Sequence, residues 1–323
     1  MSNSSTRGTI EVVSQGLLTT VQDEGRFEHQ HSGLSASGVM DNFAHKTANI
    51  LCGNANWNEA VLEVTMLGPT LKFNADAYIA ITGADLSPAI DGAPVQTWQS
   101  LVVKSGSTLS FGAVKHGVRA YIGICGGFDI PLVMGSKSTY IKAKVGGIEG
   151  RALRSGDIIA YTQTDIAEKK PLKIPEEFIP AYTAAQVLRV VLGPQDDAFT
   201  AEGISTFLTG EYTVTPQNDR MGCRLSGQAI KHKASADIIS DGIVMGAVQV
   251  PGEGQPIILM ADRQTTGGYT KIAAVMYADL YKVAQAKQGD TFRFANIPIE
   301  TAQDLYVSYL GTLDEIANAL LAV

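Results

Sequence analysis

Hydrophobic and polar positions alternate over short stretches along most of this chain, and turn residues interrupt the alternation often enough to predict many short strands. Residues 9–13 read as a first strand. Further strands follow at 78–83, 101–103, 108–111, 119–124 and 158–161, punctuated by Asp91-Gly92, Ser105-Gly106 and Gly126-Gly127. No helix of useful length separates them, which argues for a closed or nearly closed barrel and against a parallel doubly wound sheet. Helical spacing shows in three other places. Asp41 caps a segment carrying Phe43, Ala44, Thr47, Ala48, Ile50 and Leu51, which Gly53-Asn54 closes, and further helices are expected over 198–208 and 302–321. Residues 162–182 are charged, carry prolines and keep no steady period. The fold class is therefore mainly β with a few helices, in two lobes: 1–165, a linker at 166–186, and 187–323 ending in a helix.

One stretch organises the chemistry. From Pro251 a turn leads into the apolar strand 257–260, then the polar triplet Asp262-Arg263-Gln264, two hydroxyls at Thr265 and Thr266, and Gly267-Gly268. Beyond the glycines, Ile272, Val275, Met276 and Leu280 recur at helical spacing, so the expected order is strand, polar loop, helix start. A helix start offers unpaired N–H groups to an anion, and glycines let it come close. Arg263 is suited to gripping a carboxylate or phosphate, and Asp262 to holding a proton. The plainer alternative makes Thr266 a helix cap, the glycines a tight turn, and Asp262 with Arg263 a surface pair.

Composition narrows the classes. A net charge of −7, with no basic run carrying interleaved aromatics, excludes a nucleic-acid partner. No apolar run approaches the roughly 18 residues of a membrane span, and the start MSNSSTRG is polar, so a cytoplasmic protein is expected. Cys52, Cys125 and Cys223 are odd in number and far apart, which suits buried thiols in a reducing compartment. His29 and His31 lack a third ligand at a recognisable spacing, so no metal site is expected. Glu59 and Glu63 flank an alternating segment and are read as solvated on one side. Residues 133–139, Gly146-Gly147 and 155–157 faintly echo 259–265, Gly267-Gly268 and 288–290, which would make the lobes related. Neither GxxxxGK[ST] nor GxGxxG is present, and no lysine sits between methionines as a biotin-carrying lysine would.

A series of ordered motifs runs through nearly the whole chain: TTVQDEGR at 19–26, GLSASGVMD at 33–41, ANILCGN at 48–54, TGAD at 82–85, GSKST at 135–139, GPQ at 193–195, DRMG at 219–222 and DRQTTGGY at 262–269. Together they resemble the family of 5-oxoprolinase C subunits, also called allophanate hydrolase subunit 2, KipA or the biotin-dependent carboxyltransferase family. The resemblance implies a cyclophilin-like β-barrel architecture in two lobes. It also implies two partners, a B component (allophanate hydrolase subunit 1, KipI-like) and an A component (LamB/YcsF-like), which together with this chain open 5-oxo-L-proline to L-glutamate using ATP and Mg shared across the complex. Two other roles occur in the family: a carboxyltransferase acting on urea or a related small amide with biotin carried on a partner, and a KipA-like regulator that binds a kinase inhibitor. No covalent cofactor is expected on this chain. Asp262, Arg263 and Gln264 are the expected catalytic residues. Thr265, Thr266, Gly267, Gly268 and Tyr269 are the expected substrate contacts, followed by Asp23, Arg26, Asp41 and Arg220, where the family motifs place a charge.

Overall fold

A computed structural model describes residues 7–167 and 169–321. The chain forms two compact units, and neither is one continuous segment. Unit 1 comprises 1–26, 37–181 and 312–323, and unit 2 comprises 27–36 and 182–311. The main division, between Ala181 and Tyr182, falls inside the charged, proline-bearing stretch.

Unit 1 carries β1 (Arg7–Ser14), β2 (Leu18–Gln22), α1 (Asn42–Cys52), β3 (Val61–Thr65), β4 (Thr70–Phe73), β5 (Ala77–Asp85), β6 (Ala89–Ile90), β7 (Ala93–Pro94), β8 (Gln99–Val103), β9 (Thr108–Ser110), β10 (His116–Ile124) and β11 (Ile158–Thr162). The strands form two sheets, ordered β11-β1-β4-β9-β6-β7 and β2-β3-β10-β5-β8. Val12, Leu71, Phe73 and Ile159 from one sheet share a buried core with Leu62, Ile79, Ile81 and Ile122 from the other. The expected closed barrel is thus a two-sheet sandwich here, because alternation reports half-buried strands but not whether the outer edges meet. The α1 cap is as expected: Asp41 Oδ1 accepts from the Ala44 amide at 3.0 Å, and Gly53 is left-handed with φ 70°. Glu63 departs from expectation. It is buried and accepts from the Met40 amide at 2.8 Å, while Glu59 lies outside β3 and pairs with Lys137.

Unit 2 carries β12 (Ala185–Leu192), α2 (Ala201–Thr209), β13 (Tyr212–Val214), β14 (Gly222–Ser226), β15 (Asp237–Gly242), β16 (Ala247–Gln249), β17 (Ile257–Leu259), β18 (Thr266–Tyr269), β19 (Lys271–Val275), α3 (Leu280–Ala284) and β20 (Thr291–Asn296). α4 (Ile299–Leu321) begins in this unit, and its last turns belong to unit 1. Seven strands close into a barrel, β12-β19-β16-β17-β14-β13-β20, and β15 pairs with β18 as a separate ribbon. The barrel closes through a parallel seam running from Ala185 opposite Thr291 to Val190 opposite Asn296. Against β20, Phe207 of α2 stacks on Phe294 with ring centroids 4.3 Å apart.

The helix expected after Gly267-Gly268 is replaced by strands: β18 and β19 come first, and helical turns start only at Tyr277. β19 lies between β12 and β16, so Ile272, Ala273 and Val275 are all buried. A strand covered on both faces gives a continuous apolar run that mimics helical spacing. The internal echo weakens for a related reason. Gly146 and Gly147 are left-handed turn residues with φ 71° and 53°, whereas Gly267 and Gly268 are part of β18.

α3 is tied to the barrel by Asp279, which is fully buried and takes a forked hydrogen bond from Arg189, at 2.9 Å to Nε and 2.6 Å to Nη2. Burial pushes its carboxyl up, but Arg189 and Lys282 outweigh that, and the group stays below the usual carboxylate range. A folded pKa lowered in this way contributes stability that is fully present above the unfolded value of 3.8 and is lost as pH falls through the folded pKa. We therefore expect the melting temperature to fall steeply only below about pH 4. Asp279→Asn should lower it at neutral pH and flatten that acid limb, as a pH series of thermal melts would read. An unchanged acid limb in the variant would assign the acid sensitivity to other carboxylates.

Candidate functional site

The 262–269 stretch is built from the barrel outward. The turn before β14 is set by Asp219, whose carboxylate accepts from the amides of Met221 at 2.8 Å and Gly222 at 3.1 Å. The Asp262 amide donates to the Arg220 carbonyl at 2.8 Å, and that of Met260 to the Met221 carbonyl at 2.9 Å, which extends the β14–β17 ladder. The Asp262 and Arg220 side chains then meet in a forked pair, Nε to Oδ2 at 3.0 Å and Nη2 to Oδ1 at 3.1 Å. Arg220 is 6% exposed and Asp262 7%, so this is a buried ion pair behind the loop, where Asp262 orients Arg220.

Arg263 also turns inward. Its Nε donates to the Ile243 carbonyl at 3.1 Å and its Nη1 to the Met260 carbonyl at 3.3 Å, and burial lowers the guanidinium pKa. The Thr265 carbonyl accepts from the Ile243 amide at 3.1 Å, and Thr266 and Gly267 sit opposite Gly242 and Asp241 in the ribbon. With Gly267 and Gly268 in a strand, no helix N-terminus stands behind them, so the loop does not form the expected amide cradle. Gly267 has a packing reason instead. A Cβ there would lie 2.6 Å from Ile243 Cδ1 and 2.7 Å from Gln249 Nε2, so glycine lets β18 settle onto both side chains.

Gln264 and Tyr269 face a cleft of about 260 Å³, together with Asp219, Arg224, Gln249 and Glu253, over a floor that includes Ile257 and Leu259. Two carboxamides, a phenol, two carboxylates and a guanidinium form a lining that both donates and accepts hydrogen bonds. Next to the wall, Lys271 is the ladder partner of Gln249, and its amide donates to Gln195 Oε1 at 3.1 Å. Arg224, Gln249, Glu253 and Lys271 were not evident from motif spacing. Gln249 and Lys271 had a signal of a different kind: each is a polar residue set into an otherwise apolar strand, AVQV and TKIAAV.

The remaining expected residues lie in unit 1. Asp23 accepts from Ser136 Oγ at 2.6 Å, Ser138 Oγ at 2.5 Å, and the amides of Lys137 at 2.6 Å and Gly25 at 2.9 Å. Burial pushes its pKa up, but these four donors more than offset that and hold it below the usual range. Arg26 is fully buried and donates to the carbonyls of Val133 at 3.0 Å and Ser138 at 2.7 Å. Asp41 caps α1. Among the described residues no group of three or more His, Cys, Asp or Glu could hold a metal, all three cysteines are free and buried, and no helix is long and apolar enough to cross a membrane.

Unit 2 is thus a seven-stranded barrel with a small cleft of mixed polarity lined by residues of the 262–269 stretch. Residues 32–296 match the family described as carboxyltransferase domain, subdomain A and B, and the chain belongs to that family. It is 36% identical to the 5-oxoprolinase C subunit of Escherichia coli, spanning 91% of this chain and 93% of that one. It is 37% identical to the Haemophilus influenzae protein of the same name, spanning 95% and 97%. Urea amidolyase of Saccharomyces cerevisiae is 33% identical over 92% of this chain, which corresponds to 17% of that protein. Among solved structures, Kluyveromyces lactis urea carboxylase superposes with a TM-score of 0.89 at 30% identity, covering 95% of this chain and 29% of that one.

Proposed function

We propose that this chain is the C component of a cytoplasmic, ATP-dependent 5-oxoprolinase, which opens the lactam of 5-oxo-L-proline to L-glutamate together with the A and B components. The observation carrying this reading is the similarity to two separate proteins of that name, at 36% and 37% identity over 91% and 95% of this chain. The cleft supports it by size and lining. About 260 Å³ lies below the roughly 300–1,000 Å³ typical of drug-sized ligands, which suits a five-membered lactam. A lactam offers one N–H and one C=O, and the carboxamide of Gln264 with the phenol of Tyr269 can meet both. The small size of the cleft and the absence of a helix N-terminus behind the loop among the described residues support assigning ATP and Mg to the partner proteins. In this reading Asp262 and Arg263 hold the Gln264 backbone in place from behind.

The test is glutamate release from 5-oxo-L-proline and ATP by this chain with its A and B components. No product from the complete set would overturn the reading. Within that assay, Gln264→Ala and Tyr269→Phe should each lower kcat/KM about tenfold, the size of one lost hydrogen bond. The family description favours a second reading, a carboxyltransferase acting on a small amide with biotin on a partner. It predicts bicarbonate incorporation that avidin blocks, whereas the oxoprolinase reading predicts indifference to avidin.

A further inference from the structure

Lys271 is 2% exposed, yet among the described residues its ammonium has no well-aligned hydrogen-bond partner. The Asp241 carboxylate stands 3.3 Å away, within ion-pair range but misaligned for a hydrogen bond. The Gly242 amide, and after it the Lys271 ammonium, hold the Asp241 carboxyl below its usual range, so it stays an anion. Asp241 is half-exposed and comes from β15, the ribbon strand on which Ile239 is 94% exposed. It also accepts from Gln195 Nε2 at 3.3 Å, while Gln195 Oε1 takes the Lys271 amide. The ladder partner of Lys271 is Gln249, which lines the cleft with Tyr269. The pairing sits at a register shift between β16 and β19, which sets Lys271 beside Gln249 in the barrel wall next to the cleft.

A buried ammonium held only by one poorly aligned ion pair is unfavourable unless an anion completes its shell. The anion now present is poorly aligned and sits on a strand largely open to solvent. We propose that Lys271, with the carboxamides of Gln195 and Gln249, binds the carboxylate of a small acid whose amide lies in the cleft, and that Asp241 holds this place until the ligand displaces it. Lys271 is then a specificity residue that favours a carboxylate-bearing lactam over a neutral amide such as urea. This rests on the cleft being a substrate site, as proposed above. The same chemistry would also accept a carboxylate arriving as bicarbonate.

Calorimetric titration of the purified chain, with any partner proteins that co-purify, should compare 5-oxo-L-proline with its neutral 2-carboxamide. Wild type should bind the acid at least tenfold more tightly. Lys271→Met, which removes a buried charge at similar volume and so should fold, should bind the two equally. Lys271→Arg should keep part of the preference, and Asp241→Asn should tighten the acid severalfold by removing the competing anion. An acid preference that survives in Lys271→Met, or equal binding of both lactams by wild type, overturns the inference. If wild type binds neither lactam, the lactam reading fails, and melting shifts with acetate, formate and bicarbonate decide the anion site on its own. Shifts that vanish in Lys271→Met uphold it, a response to bicarbonate alone assigns the site to that anion, and no Lys271-dependent shift overturns it.

Discussion

Asp262→Ala is expected to destabilise unit 2 by about 3–5 kcal/mol, because it removes one half of a buried ion pair and leaves the Arg220 guanidinium without its forked partner. The loss is large because both groups are already desolvated. Arg220 cannot regain water without disturbing the turn before β14, to whose carbonyls the Asp262 and Met260 amides are also bonded. Removing both charges should cost far less, so Asp262→Leu combined with Arg220→Met should recover most of the stability. Both tryptophans, Trp57 and Trp98, belong to unit 1, so differential scanning calorimetry is the suitable readout here. A single variant that melts with the wild type would show that the pair contributes little, and the idea that it supports the cleft from behind would fall with it.

Asp23→Ala should have an effect of similar size on unit 1. The carboxylate satisfies two buried hydroxyls and two amides at once, and its charge acts on Arg26, whose Nη1 has no hydrogen-bond partner among the described residues. Deletion would orphan four donors at roughly 1–3 kcal/mol for each that water cannot reach, and would leave the Arg26 charge uncompensated. We expect a loss of about 3–5 kcal/mol, with Asp23→Asn intermediate because it keeps the shape and one acceptor. Tryptophan fluorescence during urea unfolding reports on this unit, and an unchanged midpoint for Asp23→Ala would contradict the account.

Much of this architecture was legible in the sequence. The capped helix after Asp41, the strands of unit 1 and the final helix all follow from patterns confined to a few neighbouring residues. β19 was misread because a strand covered on both sides loses the alternation that distinguishes it from a helix. A barrel is expected in both lobes and closes in unit 2, whereas the strands of unit 1 form two sheets, because pairing of distant edges leaves no local trace. At the site, motif spacing singled out Gln264 and Tyr269, which do reach the cleft. The same motif could not tell that Asp262 and Arg263 face inward, since strand orientation depends on where the partner strands lie. Gln249 and Lys271 belong to strands whose neighbours are apolar, and only the assembled barrel gives their polarity a context.

The parallel seam between β12 and β20 has a consequence for how the protein is made. The barrel's first strand pairs with its last, more than one hundred residues later, so a nascent chain on the ribosome cannot finish this unit until residue 296 has emerged. Until then β12 lacks one neighbour along its whole length and offers an unpaired edge to other chains. Truncations ending before Thr291 should therefore aggregate rather than yield a smaller folded protein, and chaperone demand during synthesis should be concentrated in that interval.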